Sequence, residues 1–150
     1  MERLPWQEYW MDMAKLVSSR STCRRRSVGA VLVKNNLQIS SGYNGAPRGA
    51  KHCLEIGCIR EDLGVPSGER HELCRAMHAE QNAIIQCART GASTEGATLY
   101  CTTYPCSICA KMIINAGIVC VVYEGDYPDP TAKKLFEDAM HVEVKQFKRG

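Results

Sequence analysis

Hydrophobic and polar positions follow one another along the chain in patterns that predict both helices and strands. Apolar residues recur at steps of three and four between residues 5 and 20, which predicts an amphipathic helix. Two apolar runs follow, over 28–33 and 37–41, and the pair Asn35 and Asn36 between them is a turn signal. We therefore expect these two runs to form a β-hairpin after the first helix.

In the second half of the chain, helical patterns alternate with short strand patterns. Helices are predicted over 77–90, 106–116 and 131–140, and strands over 98–101, 118–123 and 141–147. Strands that alternate with helices run parallel through right-handed crossovers. The order of the elements therefore predicts a three-layer α/β/α fold around one sheet, in a single domain over residues 1–150.

The stretch from residue 42 to about residue 75 shows no clear periodicity and contains several glycines and prolines. An irregular stretch of this length is uncommon in a compact domain unless it is functional or is held by specific contacts. Four residues within it could supply such contacts: Cys53, Cys58, His71 and Cys74.

Composition and charge narrow the classes of function. The 150 residues are 45% hydrophobic and 23% charged, as in ordinary globular proteins. No apolar run approaches a membrane span, and the first residues lack the pattern of a secretion signal, so we expect a cytoplasmic protein that does not bind membranes. A net charge of +3 permits an anionic substrate but does not favour polymeric nucleic acid. The basic run 24–26 is either a solvated turn or the source of an arginine that reaches a phosphate.

The cysteines and histidines point to metal chemistry. Nine cysteines, an odd number, without a secretion signal favour metal binding over a disulfide scaffold. His78, Cys106 and Cys109 can close three corners of a tetrahedral zinc site and leave the fourth open for water, as catalytic zinc sites do. The three residues lie at predicted helix starts, where free N–H groups favour thiolates.

Glu80 follows His78 by two positions and is predicted to move protons without binding the metal. Zinc lowers the pKa of bound water to about 7. Glu80 would take the proton of that water, protonate the ring nitrogen, and later pass a proton to departing ammonia. Backbone N–H groups near Ala79 or Cys106 would hold the carbonyl of the base. A lone C-x-x-C segment is often redox-active or structural, but H-x-E with P-C-x-x-C is the signature of zinc deaminases. The residues therefore predict hydrolytic removal of an amino group from a nucleobase.

Six segments spread over almost the whole chain carry a family resemblance: 21–23, 28–31, 42–45, 66–70, 78–84 and 104–109. Together they resemble the deoxycytidylate (dCMP) deaminases of the cytidine deaminase superfamily. The resemblance implies conversion of dCMP to dUMP and ammonia, which supplies dTMP synthesis. It implies a five-stranded mixed sheet of order 2-1-3-4-5 with the last strands parallel. It also implies a homo-oligomer, often a hexamer, activated by dCTP with Mg²⁺ and inhibited by dTTP, with the segment 42–45 near the effector or the substrate.

The same resemblance assigns contacts with the substrate. It implies that Asn44 contacts the sugar and that Arg89 and Tyr127 take part in nucleotide selection and phosphate contact. Arg89 could instead be a cation at a helix C-terminus, and Tyr127 a packed loop residue. Gln86 stands where some relatives have an aromatic residue that could stack on the base, so Tyr104 becomes the candidate for stacking.

A second, structural zinc is also implied by the resemblance. The expected ligands are Cys23, Cys53, His71 and Cys74, with Cys58 as a substitute. A closed Cys/His site would stabilise a loop that has no core of its own. The alternative is that some of these cysteines are buried free thiols, as we expect for Cys87, Cys101 and Cys120.

Two other functions compete with dCMP deamination. One is a different deaminase, acting on cytosine, a riboflavin precursor or tRNA adenosine. The tRNA enzyme would need a more basic surface, and the riboflavin enzyme is usually fused to a reductase domain. The other is a non-catalytic zinc or nucleotide-binding module. Glu80 argues against that module, because a purely structural site does not need a proton shuttle.

Overall fold

The computed structural model of the chain describes residues 2–23, 25–125 and 128–150. Tyr127, one of the residues expected to contact the nucleotide, lies outside these ranges. Within them, no helix is both long enough and apolar enough to cross a lipid bilayer.

The first three elements are helix α1 (Trp6–Ser18) and strands β1 (Gly29–Lys34) and β2 (Leu37–Tyr43). The two strands pair antiparallel. Asn35 and Asn36 between them have φ values of 54° and 57°, the left-handed pair that a tight hairpin turn requires. The predicted helix and hairpin are confirmed.

The stretch predicted to be irregular contains three short helical turns. These are α2 (Cys53–Ile56), α3 (Ile59–Asp62) and a single 3₁₀ turn (His71–Leu73). A helix of four residues is too short to display the 3.6-residue repeat of apolar positions, so the sequence carried no periodic signal for these turns.

Helices and strands then alternate to the end of the chain. They are α4 (Ala79–Thr90), β3 (Thr98–Thr103), α5 (Ser107–Asn115), β4 (Cys120–Gly125), α6 (Pro130–Asp138) and β5 (Glu143–Gln146). Each of them lies within three residues of its predicted bounds. The single-residue offsets at several ends reflect cap residues, which begin or end a helix without belonging to it.

The five strands form one sheet in the order β2-β1-β3-β4-β5. Strand β1 pairs antiparallel with both β2 and β3, whereas β3, β4 and β5 are parallel. The mixed sheet, its order and its parallel end therefore match what the sequence and the resemblance predicted.

Alternate residues of the strands pack into two cores on opposite faces of the sheet. Val31 and Val33 of β1 pack with Trp10 and Met11 of α1 on one face. Ala30 and Leu32 point the other way, into a larger core shared with residues of α4, α5 and α6: Ala79, Ala83, Cys109, Ala110, Ile113, Ala132 and Phe136. Helices on both faces of one sheet make the three layers predicted from the order of the elements.

Strand β2 and helix α4 approach each other closely at Gly42. A Cβ at this position would lie 2.5 Å from the backbone nitrogen of Ala83 and closer still to the carbonyl oxygen of Ala79. Only glycine allows the first turn of α4 to rest directly on the strand. This contact sets the position of the helix end that carries the predicted catalytic residues.

Candidate metal centre

Helices α4 and α5 begin at the same edge of the sheet. Strands β2 and β3 both run antiparallel to β1, so both end at the edge where β1 begins. The chain before α4 is tied to the end of β2 by a backbone bridge between Gly45 and Met77. Helix α5 follows the end of β3 after a short connection that contains Pro105. The topology therefore brings the starts of α4 and α5 together.

The three predicted zinc ligands lie at these helix starts. His78 is the N-cap residue of α4, and its backbone N–H donates to the side chain of Gln81 at 2.8 Å. Cys106 is the N-cap residue of α5, and Cys109 lies in the first turn of that helix. The contact with Gln81 fixes the backbone at the start of α4, so the side chain of His78 starts from a well-defined position.

The ligand atoms converge on one point. Nδ1 of His78 lies 3.2 Å from Sγ of Cys109 and 3.4 Å from Sγ of Cys106, and all three atoms lie within 4.8 Å of one another. Ligands at about 2.0–2.3 Å from a tetrahedral ion are roughly 3.6 Å apart, and two sulfurs with one imidazole are ligands that zinc prefers. The residues fit zinc in both geometry and chemistry, and His78, Cys106 and Cys109 form a zinc site.

The electrostatics of the triad favour a metal cation. A hydrogen bond from the Cys109 thiol, assisted by the imidazole of His78, lowers the pKa of Cys106 to about 4 despite burial. The same hydrogen bond, together with burial, raises the pKa of Cys109. The sulfur of Cys106 raises the pKa of His78 against the effect of burial. Without metal, the triad holds protons that a metal ion would displace.

Glu80 lies beside the triad but is not one of its ligands. Its side chain is 4% exposed, and burial raises the pKa of its carboxyl group. It lines the same cavity as His78 and Cys106. A carboxyl group whose pKa is moved towards neutrality can both accept and release a proton at working pH. The role of Glu80 as a proton shuttle stays a prediction.

A cavity of about 640 Å³ opens over the triad. This volume is within the range of small-molecule sites. Its wall includes the predicted substrate residues Asn44, Ala79 and Tyr104. The wall also carries three arginines: Arg25, Arg26 and Arg60. The cavity therefore combines a metal site with a wall in which three arginines outnumber the two described acidic residues, Glu80 and Asp129, which suits an anionic ligand.

Both polar atoms of the Asn44 side chain form hydrogen bonds with the backbone. Its Oδ1 accepts from the N–H of Val28 at 2.9 Å, and its Nδ2 donates to the carbonyl of Arg26 at 3.0 Å. It is 8% exposed. Asn44 thus holds the segment that precedes β1 against the cavity, in addition to lining the cavity itself.

Two other predicted substrate residues have different surroundings. The ring of Tyr104 packs edge-on against Tyr123, with centroids 4.7 Å apart, and borders the cavity. Arg89 is exposed in the last turn of α4, at the far end of that helix from His78, and is absent from the described part of the cavity wall. An arginine in that position also suits the alternative of a cation at a helix C-terminus.

The residues expected to bind a second zinc are divided between two places. Cys53 is buried, and its pKa is raised by burial and then by the nearby thiols of Cys74, Cys23 and Cys58. His71 instead lies beside His78, with ring centroids 5.1 Å apart. Among the described residues, no second group of three His, Cys, Asp or Glu side chains has its ligand atoms within 4.8 Å of one another. The second zinc therefore stays a prediction.

Sequence reasoning missed Arg60 as a candidate for the cavity wall, whereas Arg25 and Arg26 belong to the basic run for which a phosphate contact was one alternative. Arg60 was overlooked because it belongs neither to a motif nor to a strongly periodic segment. Only the fold of the long middle stretch brings α3 over the zinc site, so no local signal in the sequence could have singled out Arg60.

Comparison with protein families identifies one matching model. Residues 4–124 match the model described as the cytidine and deoxycytidylate deaminase zinc-binding region. The match includes the zinc triad, Glu80 and the middle stretch with its cysteines.

Individual relatives are similar over nearly the whole chain. ComE operon protein 2 of Bacillus subtilis is 45% identical over 140 residues, which cover 93% of this chain and 70% of that protein. The deoxycytidylate deaminase of Schizosaccharomyces pombe is 39% identical over 145 residues, which cover 97% of this chain and 45% of that protein. The chain thus spans less than half the length of the yeast relative.

Solved structures show the same architecture. The dCMP deaminase of the cyanophage S-TIM5, crystallised in complex with dCMP and dUMP, superposes with a TM-score of 0.80 at 34% identity. The superposition covers 98% of this chain and 100% of that one.

Proposed function

The chain belongs to the family of cytidine and deoxycytidylate deaminases that share a zinc-binding region, and from this premise we propose that it hydrolyses dCMP to dUMP and ammonia. One observation carries the proposal: the zinc triad and the buried carboxyl group of Glu80 face a single cavity whose wall is rich in arginine. The yeast relative and the cyanophage protein, both dCMP deaminases, support dCMP as the substrate.

Each side chain of the site has a distinct task in this reaction. His78, Cys106 and Cys109 would hold zinc, which when bound lowers the pKa of water and makes hydroxide available at neutral pH. Glu80 takes one proton from the water and delivers it to the ring nitrogen of cytosine; it then takes the remaining proton from the same oxygen, now bonded to the ring carbon, and passes it to the amino group, which leaves as ammonia. Burial of Glu80 supports this cycle, because its raised pKa allows the carboxyl group to hold a proton between the two transfers.

The remaining cavity residues would orient the nucleotide. Backbone N–H groups at Ala79 or Cys106 can donate to the carbonyl of the base, and the ring of Tyr104 can stack on it. Asn44 is proposed to contact the sugar with the donor and acceptor capacity that its two backbone hydrogen bonds leave. Arg89 and Tyr127 are proposed to take part in nucleotide selection. Because Arg89 is not among the described residues of the cavity wall, it would have to contact a nucleotide bound by another copy of the chain.

Further properties remain proposals. The activity would supply dTMP synthesis, dCTP with Mg²⁺ would activate it and dTTP would inhibit it. The protein would act as one domain within a homo-oligomer, with a hexamer favoured, and would hold a second zinc near Cys53. Counting zinc atoms per chain in the purified protein tests the second zinc, since two equivalents are expected and one would contradict it.

The substrate assignment is tested by ammonia release. Purified zinc-loaded protein is incubated with dCMP, CMP, cytidine and cytosine, each with and without dCTP and Mg²⁺. Release from dCMP alone is expected. Release from cytosine alone would instead support a different deaminase, and release from none of the substrates would favour a non-catalytic nucleotide-binding module.

A further inference from the structure

Arg60 is a buried cation to which the described residues give no carboxylate partner. It lies in α3 (Ile59–Asp62) and is 6% exposed. No Asp or Glu oxygen among the described residues lies within 4.0 Å of its guanidinium, whereas the neighbouring Arg25 pairs with Glu61 at 3.4 Å. Burying a charge without a counter-charge is costly. A buried cation of this kind beside a cavity is expected to bind an anion.

Only one of the three nitrogens of the Arg60 guanidinium group, Nη1, has hydrogen-bond partners among the described residues. Its Nη1 donates to the carbonyl oxygen of Glu69 at 3.0 Å and lies 3.2 Å from Nδ1 of His71. Its Nε is buried, and the described residues give it no hydrogen-bond partner. Nη2 has no partner among the described residues either but, unlike Nε, is not shielded from solvent. Nη2 is therefore the donor that a ligand in the cavity can reach, and a guanidinium N–H makes a strong charge-assisted hydrogen bond to a phosphate oxygen.

Arg60 is also placed at a suitable distance from the zinc triad. One edge of the His71 ring faces Nη1 of Arg60, and the ring lies against His78, with centroids 5.1 Å apart. One aromatic ring therefore separates Arg60 from the metal ligands, and all of these residues line the same cavity. A nucleotide with its base at the metal would extend its sugar and phosphate away from the triad, along this wall.

We propose that Arg60 binds the 5′-phosphate of the nucleotide through Nη2 of its guanidinium group, and thereby selects nucleoside monophosphates over nucleosides. This inference rests on the proposed deamination of dCMP. The competing explanation is that Arg60 only holds the loop 66–70 in place through its hydrogen bond to Glu69. The two explanations differ in what they predict for ligands with and without a phosphate.

The test compares Arg60→Gln and Arg60→Lys with the wild-type protein, all loaded with zinc. Arg20→Gln is the matched control, because Arg20 is exposed and lies outside the cavity wall. Binding of dUMP, deoxyuridine and inorganic phosphate is measured by calorimetry. Wild-type protein and the control are expected to bind dUMP more tightly than deoxyuridine.

Arg60→Gln is expected to weaken dUMP binding by about 10- to 100-fold, because hydrogen bonds to charged groups contribute on this scale. Its affinity for deoxyuridine is expected to stay within about twofold of wild type, since only the phosphate contact is lost. The affinity of Arg60→Lys for dUMP is expected to fall between those of the wild type and Arg60→Gln, because lysine retains the charge but lacks the planar donor group of arginine. Binding of inorganic phosphate should weaken in the same order.

An equal loss of affinity for dUMP and deoxyuridine in Arg60→Gln would overturn the proposal in favour of a loop-holding role, as would unchanged affinity for dUMP. If Arg60→Gln does not fold, Arg60→Lys decides by the same comparison. Turnover of dCMP is assayed separately. Wild-type protein that releases no ammonia from dCMP would contradict the proposed function, while an Arg60-dependent preference for dUMP over deoxyuridine would still establish the phosphate contact.

Discussion

The imidazole Nδ1 of His78 lies 3.2 Å from the sulfur of Cys109, although the two residues are 31 positions apart in the chain. Each belongs to the start of a different helix, and the two helix starts meet at one edge of the sheet. A third ligand, Cys106, completes the group at 3.4 Å from the same nitrogen. The zinc site therefore depends on the packing of α4 and α5, and it can be tested through either helix.

Cys109→Ser is expected to weaken zinc binding by at least about 100-fold, because a ligand contributes more than the supporting residues whose loss costs 10- to 100-fold. Zinc per chain is measured by elemental analysis after dialysis against a chelator. Cys120→Ser, at a half-buried thiol in β4, is the control and should retain its zinc. Tight stoichiometric zinc in Cys109→Ser would remove this residue from the site.

Glu80→Gln should retain bound zinc and lose turnover by about 10²- to 10⁴-fold, the usual contribution of a general acid–base group. The change preserves size and burial but removes the group that carries the proton. Steady-state ammonia release and metal analysis are measured on the same sample. The exposed Glu95→Gln serves as the control. Near-normal turnover of Glu80→Gln would exclude Glu80 as the proton carrier.

Zinc binding to the metal-free protein should release about one proton or more per site at pH 7, because ligands must lose their protons to bind. The raised pKa of Cys109 and of His78 keeps these groups protonated further up the pH scale in the metal-free state. Zinc affinity should therefore rise with pH and fall on acidification. Calorimetry in buffers with different ionisation enthalpies counts the protons, and an absence of proton release would contradict the pKa directions.

Gly42→Ala should lower the free energy of unfolding by about 1–3 kcal/mol, the usual effect of forcing extra atoms into a packed interior. The added methyl group would collide with the backbone of α4 at Ala79 and Ala83. Chemical denaturation measures the change, with Ser41→Ala in the same strand as the control. Since α4 begins at the zinc site, we also expect weaker zinc binding. An unchanged free energy of unfolding would show that β2 and α4 can move apart without destabilising the protein.

Asn44→Ala should destabilise the protein by about 1–3 kcal/mol, because it leaves a buried N–H without a partner. The groups affected are the N–H of Val28 and the carbonyl of Arg26. Thermal and chemical unfolding measure the loss, and Asn115→Ala at the exposed end of α5 is the control. If Asn44 acted only on the sugar, stability would be unaffected and only nucleotide affinity would change.

Much of the molecule followed from patterns of a few residues. The repeat of apolar positions placed the longer helices and the strands, and the Asn35 and Asn36 pair predicted the hairpin. The types of residue in the H-x-E and P-C-x-x-C segments predicted a zinc site with an open position. Each of these signals is local, because helix periodicity, turn conformation and ligand chemistry depend on near neighbours in the sequence.

The middle stretch could not be described from local patterns. Its helical turns are too short for periodicity. The assignment of His71 to a structural zinc stays a prediction, and the contact of its ring with His78 had no signal in the sequence. Arg60 belongs to no motif at all. Neither position could be derived from neighbouring residues, since both depend on how the stretch folds back over the edge of the sheet.

The amino-acid sequence by itself determined which chemistry is available: two thiols and an imidazole for a metal, and a carboxyl group for protons. Tertiary structure alone decided that these groups face one cavity, that Glu80 is buried beside them, and that the guanidinium group of Arg60 lines the same cavity. The physical reason is that ligand identity is a property of single side chains. Distance, burial and charge environment arise only when distant segments pack together and exclude water.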